Sequence, residues 1–260
     1  MALLIAALLE RDDDAIDVGA HQGDLMRQII SASPQGRHLA VEPLPSHALE
    51  LRAALPHNVI VEEYALTDTV EEGEMEFLAD PHPTIPGGEE PAAHLAHHPE
   101  APARPQVNGN GNGNGHHAPN GDGARHGYVG GNGAAVTNGN GNGHLSASRR
   151  KLQVRTISLD ALVDRHSLIP RLIRIDVDGS EGTVLDGARR TIRHYQPVLL
   201  VEHGTSLCHG GMGQSSPSFF QQVSDLGLRI FDLDGHGPYH LDDFVRAVHG
   251  RRIVNYLLRH

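Results

Sequence analysis

The sequence is poor in two residue types that often carry crosslinks or chemistry, since its 260 residues include one cysteine and one lysine. The single Cys208 cannot form a disulfide within the chain, which excludes a disulfide-stabilised fold and is compatible with a reducing compartment. Lys151 is the only residue on which Schiff-base or lysine-base chemistry can rest, and it adjoins a low-complexity segment. We therefore set lysine chemistry aside.

Long apolar runs are also missing, because no stretch approaches the roughly 20 apolar residues that a membrane-spanning helix needs. The first apolar run, residues 2–9, has no basic flank before it and is followed by Arg11 and three aspartates. This pattern is unlike a signal peptide. We predict an amphipathic first helix in a cytoplasmic protein.

Basic residues are outnumbered, since 21 Lys and Arg face 32 Asp and Glu, for a formal net charge of -11 at pH 7. A surface with this balance repels phosphate backbones and anionic membrane faces. The composition therefore argues against nucleic acid and membranes as partners. It leaves the oligomeric state open.

A low-complexity segment interrupts the chain. Residues 80–106 are rich in proline and histidine, and residues 108–144 largely alternate between asparagine and glycine. Such residues cannot build a core and have high backbone entropy. We predict one domain over residues 1–260, interrupted by a disordered insertion at about 80–150. Its histidines can bind zinc or nickel weakly, but they lack a fixed spacing, so a solvated linker is favoured and no metal site is predicted.

Strand-like and helix-like segments alternate on both sides of this insertion. The main predicted strands are residues 14–19, 37–43, 58–66, 171–179, 197–204, 228–234 and 251–259, with a short extended piece at 74–79 and a strand followed by a turn of helix within 152–163. Near-continuous apolar strands separated by segments of helix length are typical of a parallel sheet that is buried on both faces. The pattern predicts an α/β fold with a doubly wound, mostly parallel sheet.

The first predicted strand runs into a glycine-containing turn, IDVGAHQGD at residues 16–24. In doubly wound sheets this turn contacts the cofactor. Dinucleotide binders need G-x-G-x-x-G there to hold a pyrophosphate, whereas this turn reads D-x-G-x-x-x-G, with Asp17, Gly19 and Gly23. His21 lies at the rim. The carboxylate disfavours a phosphate and favours a cofactor with a cationic part.

The end of the second predicted strand supports this interpretation. Glu42 follows the turn by about 20 residues, a spacing at which an acidic side chain accepts both hydroxyls of a ribose. A ribose, the lack of a phosphate and a cationic tail together describe S-adenosylmethionine.

A series of stretches covers most of the chain outside the insertion. They are IDVGAHQGD, LAVEPLPSHALELRAAL, NVIVEEYALTD, TISLDAL, LIRIDVDGSEGTVLDGA and PVLLVEHG, followed by LGLRIFDLD and VNYLL. In this order they resemble the FkbM family of S-adenosylmethionine-dependent methyltransferases, whose I-K-I-D-V-E-G-x-E pattern is the most specific match. Three positions depart from the family: His21 stands where asparagine is usual, Asp178 where glutamate is usual, and Ser180 where alanine is common.

The resemblance implies a class I, Rossmann-like methyltransferase sheet of seven strands, with one antiparallel strand near the C-terminus. It also implies S-adenosyl-L-methionine as cofactor and O-methylation of a hydroxyl on a sugar, polyketide or similar small molecule. By position, it implies that Asp17, Gly19 and Gly23 line the methionine part, with His21 near its carboxylate end, that Glu42 holds the ribose, and that Tyr64 and Ala65 lie along the adenine.

Methyl transfer to a hydroxyl needs aligned reacting atoms and the removal of a proton, either by a base or with a divalent cation that acidifies the hydroxyl. The sequence favours a base and leaves metal dependence open. Candidate proton acceptors follow two predicted strands: Asp176, Asp178 and Glu181 follow one, and Glu202 and His203 follow the other. His203 is the preferred base. Asp176 and Asp178 are further catalytic candidates, because two carboxylates at the end of a buried strand are costly unless used. Structural roles stay open for these residues. Asp176 can cap the next helix, and Glu181 can stabilise the first turn of that helix through the helix dipole. His203 can be an edge residue whose ring nitrogens are already hydrogen-bonded.

Two other functions share this fold. An NAD(P)-dependent oxidoreductase needs the glycine pattern that is missing here. A non-catalytic scaffold with a methyltransferase fold would use the Asn, Gly and His segment to recruit metal or partners. Nucleotide-binding preference discriminates the first alternative, and cofactor binding after deletion of residues 84–148 discriminates the second.

Overall fold

The structure is a computed structural model that describes residues 1–79, 93–95, 150–177, 179–204, 214–250 and 255–260. The described helices are α1 (Ala2–Leu8), α2 (Asp24–Ala32), α3 (Pro45–Ala54), α4 (Leu159–His166), α5 (Glu181–Asp186), α6 (Arg189–Tyr195), α7 (Ser216–Asp225) and α8 (Leu241–His249). The described strands are β1 (Asp14–Val18), β2 (His38–Val41), β3 (Val59–Glu62), β4 (Ala65–Leu66), β5 (Gly73–Ala79), β6 (Ala93–Leu95), β7 (Arg150–Ile157), β8 (Pro170–Ile175), β9 (Val198–Glu202), β10 (Arg229–Asp232) and β11 (Asn255–Arg259).

The predicted insertion at about 80–150 lies outside the described residues, except for the short strand β6 and Arg150 at the start of β7. The single interrupted domain therefore stays a prediction. Within the part of the chain that is described, no helix combines the length and the apolar composition needed to cross a membrane.

Seven of the described strands form the main sheet, in the order β10-β11-β9-β8-β1-β2-β3. The neighbours from β9 to β3 pair in parallel, whereas β11 is antiparallel to both β9 and β10. The predicted α/β fold with a mostly parallel central sheet is confirmed.

Both faces of the main sheet are covered by helices. Ile16 and Val18 of β1 pack into a core cluster that includes residues of α4 to α8, and the alternate residue Ala15 packs into a second cluster with α1, α2 and α3. Successive side chains of a strand point to opposite faces. The nearly continuous apolar strands of the sequence are therefore buried on both sides.

A second sheet, which the sequence did not predict as such, has the order β4-β7-β5-β6. Strands β5 and β7 pair antiparallel from Gly73 opposite Thr156 to Ala79 opposite Arg150. The strand predicted at 58–66 is divided, because β3 belongs to the main sheet and β4 to the second. The chain changes sheets at Tyr64, which is buried in the core beside the main sheet.

Two helical segments differ from the prediction. Residues 180–195, a helix-like segment of the sequence between two predicted strands, are divided into α5 and α6. At the junction, a Cβ on Gly187 would lie 2.0 Å from the carbonyl oxygen of Thr67, and Asp160 accepts hydrogen bonds from the backbone N–H groups of Arg190 and Thr191. These contacts end α5 and cap α6. Helix α8 was not predicted.

Candidate functional site

The candidate site lies where the strand order of the main sheet reverses. Strand β1 is followed in sequence by β2 on one side, and β8 lies on its other side. In doubly wound sheets, ligands bind outside the carboxyl ends of the strands at this point. The turn after β1, Glu42 after β2 and Asp176 after β8 all lie at this edge.

The turn after β1 has three residues in the left-handed region: Gly19 at φ 78°, His21 at φ 48° and Gly23 at φ 80°. A Cβ on Gly19 would lie 1.9 Å from the carbonyl oxygen of Asp176, so only glycine allows this approach to the end of β8. Histidine, like asparagine, is enriched among non-glycine residues with positive φ. The replacement of asparagine by His21 therefore fits the backbone of this turn.

Gly23 has a structural role in the same turn. It precedes the first residue of α2 in a left-handed conformation, and its N–H donates to the carbonyl oxygen of Ala20 at 2.7 Å. A Cβ at this position would lie 2.7 Å from Cδ2 of Leu51 on α3. Gly23 thus lets α2 begin close to α3.

Glu42 presents its carboxylate from the end of β2 and is 3% exposed. Its Oε2 accepts a hydrogen bond from the backbone N–H of His21 at 2.9 Å, and its Oε1 accepts one from the backbone N–H of Leu44 at 3.0 Å. A carboxylate oxygen has two lone pairs. Each oxygen of Glu42 therefore keeps the capacity to accept a further donor.

A cleft, which we call the apolar cleft, opens between the turn and the second sheet and contains about 610 Å³ of empty space, part of it open to solvent. Its apolar walls include Val41, Leu44, Tyr64, Ala65, Leu66 and Phe77. The predicted residues Gly19, His21, Glu42 and Asp176 also line it. Among the described residues that line this cleft, two carry carboxylates and none is lysine or arginine.

Two arginines contact Tyr64 and hold its ring in place. Its hydroxyl accepts hydrogen bonds from Arg155 at 3.2 Å and from Arg165 at 3.4 Å, and the Arg155 guanidinium carbon lies 4.4 Å from the ring centroid. A cation placed over an aromatic ring stabilises this arrangement. Neither arginine was predicted as a site residue, because both are distant from Tyr64 in sequence.

A second cleft, which we call the polar cleft, shares Gly19, His21 and Asp176 with the first one. Its other lining residues include Gln22, Asp24 and Arg174. The turn after β1 thus separates an apolar cleft from a polar one, and Asp176 reaches both.

Arg174 joins the two strand ends. Its Nη1 donates to the carbonyl oxygen of Gly19 at 2.7 Å and to Oδ1 of Asp17 at 3.1 Å, and its Nη2 pairs with Asp176. Asp17 is fully buried, and burial raises the pKa of its carboxyl against the effect of Arg174. Neither cleft is lined by Asp17. The Asp17 carboxylate therefore interacts with Arg174 and does not face either cleft.

Arg174 was not predicted as a site residue either. The signal was a basic residue inside the apolar run RLIRIDV. A buried or half-buried cation in a strand needs a partner, and the parallel register places Asp17 directly opposite it.

The predicted catalytic carboxylates have different surroundings. Asp176 follows β8 and lines both clefts, whereas Asp178 lies outside the described residues. Glu181 is 1% exposed at the start of α5, and its Oε1 accepts the Gly179 N–H at 2.8 Å. Burial raises the pKa of Glu181 to about 7. In the described ranges, no group of three or more His, Cys, Asp or Glu side chains is arranged to hold a metal ion.

His203 lies at the end of β9 and is 2% exposed. Its ring stacks on Phe219 at 4.2 Å and on Phe244 at 5.7 Å, and its Nε2 lies 3.4 Å from the hydroxyl oxygen of Ser216. It is not among the described residues that line the two clefts. The role of His203 as a base stays a prediction.

The sequence was compared with protein families and with curated proteins. The profile of the Methyltransferase FkbM domain matches residues 17–221. The chain belongs to this family. The part that matches the FkbM domain begins at Asp17 and includes the turn, Glu42, Arg174 and Asp176, so both clefts lie within the family domain. No curated protein matches the chain.

Three solved structures that are similar to this chain are described as methyltransferases. The FkbM methyltransferase of Methylobacillus flagellatus KT is 12% identical with a TM-score of 0.47, covering 98% of this chain and 48% of that one. The precorrin-6y C5,15-methyltransferase of Geobacter metallireducens GS-15 is 12% identical with a TM-score of 0.40, and the match covers 88% of this chain and 70% of that one. The mitomycin 7-O-methyltransferase MmcR is 14% identical with a TM-score of 0.38, and the match covers 99% of this chain and 52% of that one. The chain spans about half the length of the first of these proteins.

Proposed function

We propose that this FkbM domain is an S-adenosylmethionine-dependent O-methyltransferase that acts on a hydroxyl of a small molecule such as a sugar or polyketide. The observation that carries the proposal is the lining of the apolar cleft. It combines the buried carboxylate of Glu42 at the end of β2 with apolar walls, and no described lining residue is lysine or arginine. A cofactor with a ribose and without a phosphate suits this chemistry.

The residues present fit S-adenosylmethionine. The remaining lone pairs of Glu42 are available to the two ribose hydroxyls, and Tyr64, Ala65 and Leu66 offer an apolar wall for an adenine. Gly19 and Asp176, shared by both clefts, lie where the methionine part is expected. When bound, the cofactor supplies an electrophilic methyl group on a cationic sulfur. The protein aligns it with the acceptor and excludes water.

A pyrophosphate is a poor match for the same cleft. It would face the carboxylate of Glu42, which no lysine or arginine among the described lining residues offsets, whereas Asp176 is paired with Arg174. Asp17 adds little to this repulsion, because Arg174 pairs with it inside the sheet. Glu42 therefore contributes most of the repulsion that a dinucleotide would meet in this cleft.

We place the acceptor hydroxyl near Asp176, which we propose as the proton acceptor. Its side chain is 26% exposed, lines both clefts and is held by Arg174. A general base must reach the proton that it removes, and Asp176 meets this requirement better than the enclosed His203. His203 and Asp178 stay in the proposal as further catalytic candidates.

The proposal also includes the expected setting of the reaction. The acceptor is a small molecule rather than nucleic acid or a membrane, in line with the net charge of -11. The compartment is reducing, such as the cytoplasm, in line with the single cysteine of the sequence.

The test is incubation of the full chain with methyl-labelled S-adenosylmethionine and a metabolite extract. We expect label in a product with a new methyl ether. Glu42→Ala and Asp176→Asn should each lower incorporation at least about tenfold, as loss of a hydrogen bond to a charged group predicts. His203→Ala is measured alongside, and Glu50→Ala, on the exposed side of α3, is the matched control. Incorporation unaffected by the Glu42 and Asp176 changes would contradict the site assignment.

A further inference from the structure

Two histidines, His21 and His47, lie next to the carboxylate of Glu42. His47, on α3, is 7% exposed, and its Nδ1 is 3.7 Å from Oε1 of Glu42. The ring centroids of His21 and His47 are 4.5 Å apart, and the ring planes are tilted by 58°. The backbone N–H of His21 also donates to Oε2 of Glu42. The turn after β1, the end of β2 and the first turn of α3 thus meet around one carboxylate.

We infer that His47 is a positioning residue for Glu42, fixing how this carboxylate presents its remaining lone pairs to the two hydroxyls of a ribose. This inference rests on the proposed function, because it assigns His47 a role in the recognition of the nucleoside part of that cofactor. His47 is not among the described residues that line either cleft. It therefore acts through Glu42 and not by contact with the ligand.

The contacts of Glu42 explain why a further partner matters. The backbone N–H groups of His21 and Leu44 hold one lone pair of each carboxylate oxygen. These two bonds leave the second lone pair of each oxygen for other donors. The imidazole of His47 lies beside Oε1 at a distance longer than a hydrogen bond, so it restrains the carboxylate by packing and, when protonated, by electrostatic attraction.

The position of His47 is itself fixed. It belongs to the buried face of α3, together with Ala48 and Leu51. The ring of His21 packs against it from the turn. Since His21 holds a left-handed backbone conformation, its side chain is directed by the turn. Histidine at position 21 therefore links the turn to α3.

The test uses a ligand change that a purely structural role would not detect. The full chain is titrated by calorimetry with S-adenosylhomocysteine and with an analogue that lacks both ribose hydroxyls. His47→Phe keeps a ring and removes the polar nitrogen. We expect it to weaken binding of S-adenosylhomocysteine by about threefold to tenfold, as misplacement of hydrogen-bond partners predicts, and to leave binding of the analogue unchanged.

Two further variants complete the comparison. His47→Gln keeps a donor near Oε1 and is expected to bind S-adenosylhomocysteine within about twofold of the wild type. His57→Phe changes an exposed histidine just after α3 and is the matched control. If His47→Phe does not unfold cooperatively, His47→Leu replaces it in the same comparison.

Each outcome decides the inference. Equal weakening of both ligands by His47→Phe would assign His47 a structural role and overturn the positioning role, while leaving the proposed function intact. Full binding of S-adenosylhomocysteine by His47→Phe would overturn it as well. A wild-type chain that binds neither ligand would overturn the proposed function itself.

Discussion

Glu181→Gln is expected to make the unfolding free energy of the protein less dependent on pH between pH 5 and pH 8. Glu181 is 1% exposed at the start of α5. Burial raises the pKa of its carboxyl from 4.5 to about 7, and the charge of Asp176 acts in the same direction. The Gly179 N–H donates to Oε1, and the amide oxygen of glutamine can accept the same bond.

The sign and size follow from the difference between the folded and unfolded states. Because the pKa of Glu181 is higher in the folded state, its contribution to stability is fully present below about pH 4.5 and is lost as the pH rises through about 7. At about 1.4 kcal/mol per pKa unit, the whole contribution is about 3 kcal/mol. About 2.5 kcal/mol of it is lost between pH 5 and pH 8.

Urea unfolding of the wild type and of Glu181→Gln at pH 5, 6, 7 and 8 measures this contribution. The stability of the variant relative to the wild type should rise by about 2.5 kcal/mol across the range. Glu50→Gln, at an exposed position of α3, controls for the loss of one negative charge. Parallel curves for the wild type and Glu181→Gln would refute the effect of burial on this carboxyl.

Two further substitutions test the architecture of the turn. Gly19→Ala is expected to abolish calorimetric binding of S-adenosylhomocysteine, since φ is 78° and the new Cβ would lie 1.9 Å from the Asp176 carbonyl oxygen; binding like that of the wild type would contradict the close approach. Arg174→Met is expected to lower the unfolding free energy in urea by about 3 kcal/mol, because it leaves the buried Asp17 without its cation. Arg171→Met, exposed on the same strand, should change stability by less than about 0.5 kcal/mol, and equal effects of the two substitutions would disagree with this assignment.

The parts of the fold that follow from local patterns could be predicted from the sequence. The apolar strands before Gly19 and Glu42 lie next to each other in parallel, as their nearly continuous apolar character indicated. The position of both residues at one edge of the sheet follows from parallel pairing alone. Gly19, His21, Glu42, Tyr64 and Asp176 were all predicted site residues, and the structure brings them to one cleft.

Other features depend on contacts between residues that are distant in sequence. Arg174 pairs with Asp17 because β8 and β1 are neighbours in a particular register, and no local pattern contains that register. The second sheet forms because β5 and β7, on either side of the insertion, pair with each other. His47 had no distinguishing pattern, since its relation to Glu42 depends on how α3 packs.

Which of the catalytic candidates line the clefts could not be predicted from local sequence patterns either. Asp176 and His203 follow neighbouring strands, and the sequence favoured His203 as the base. In the structure Asp176 lines both clefts, whereas aromatic rings from α7 and α8 enclose His203. Helix α8 was not predicted, so the packing that separates these two residues could not be anticipated.

Binding of the cofactor in the apolar cleft is tested most directly by calorimetric titration of the full chain with S-adenosylhomocysteine and, separately, with NADH. We predict that the wild type binds S-adenosylhomocysteine at one site and does not bind NADH. Glu42→Gln should weaken binding of S-adenosylhomocysteine at least about tenfold, because it removes the charged acceptor of the ribose hydroxyls. Binding of NADH without binding of S-adenosylhomocysteine would contradict the central claim.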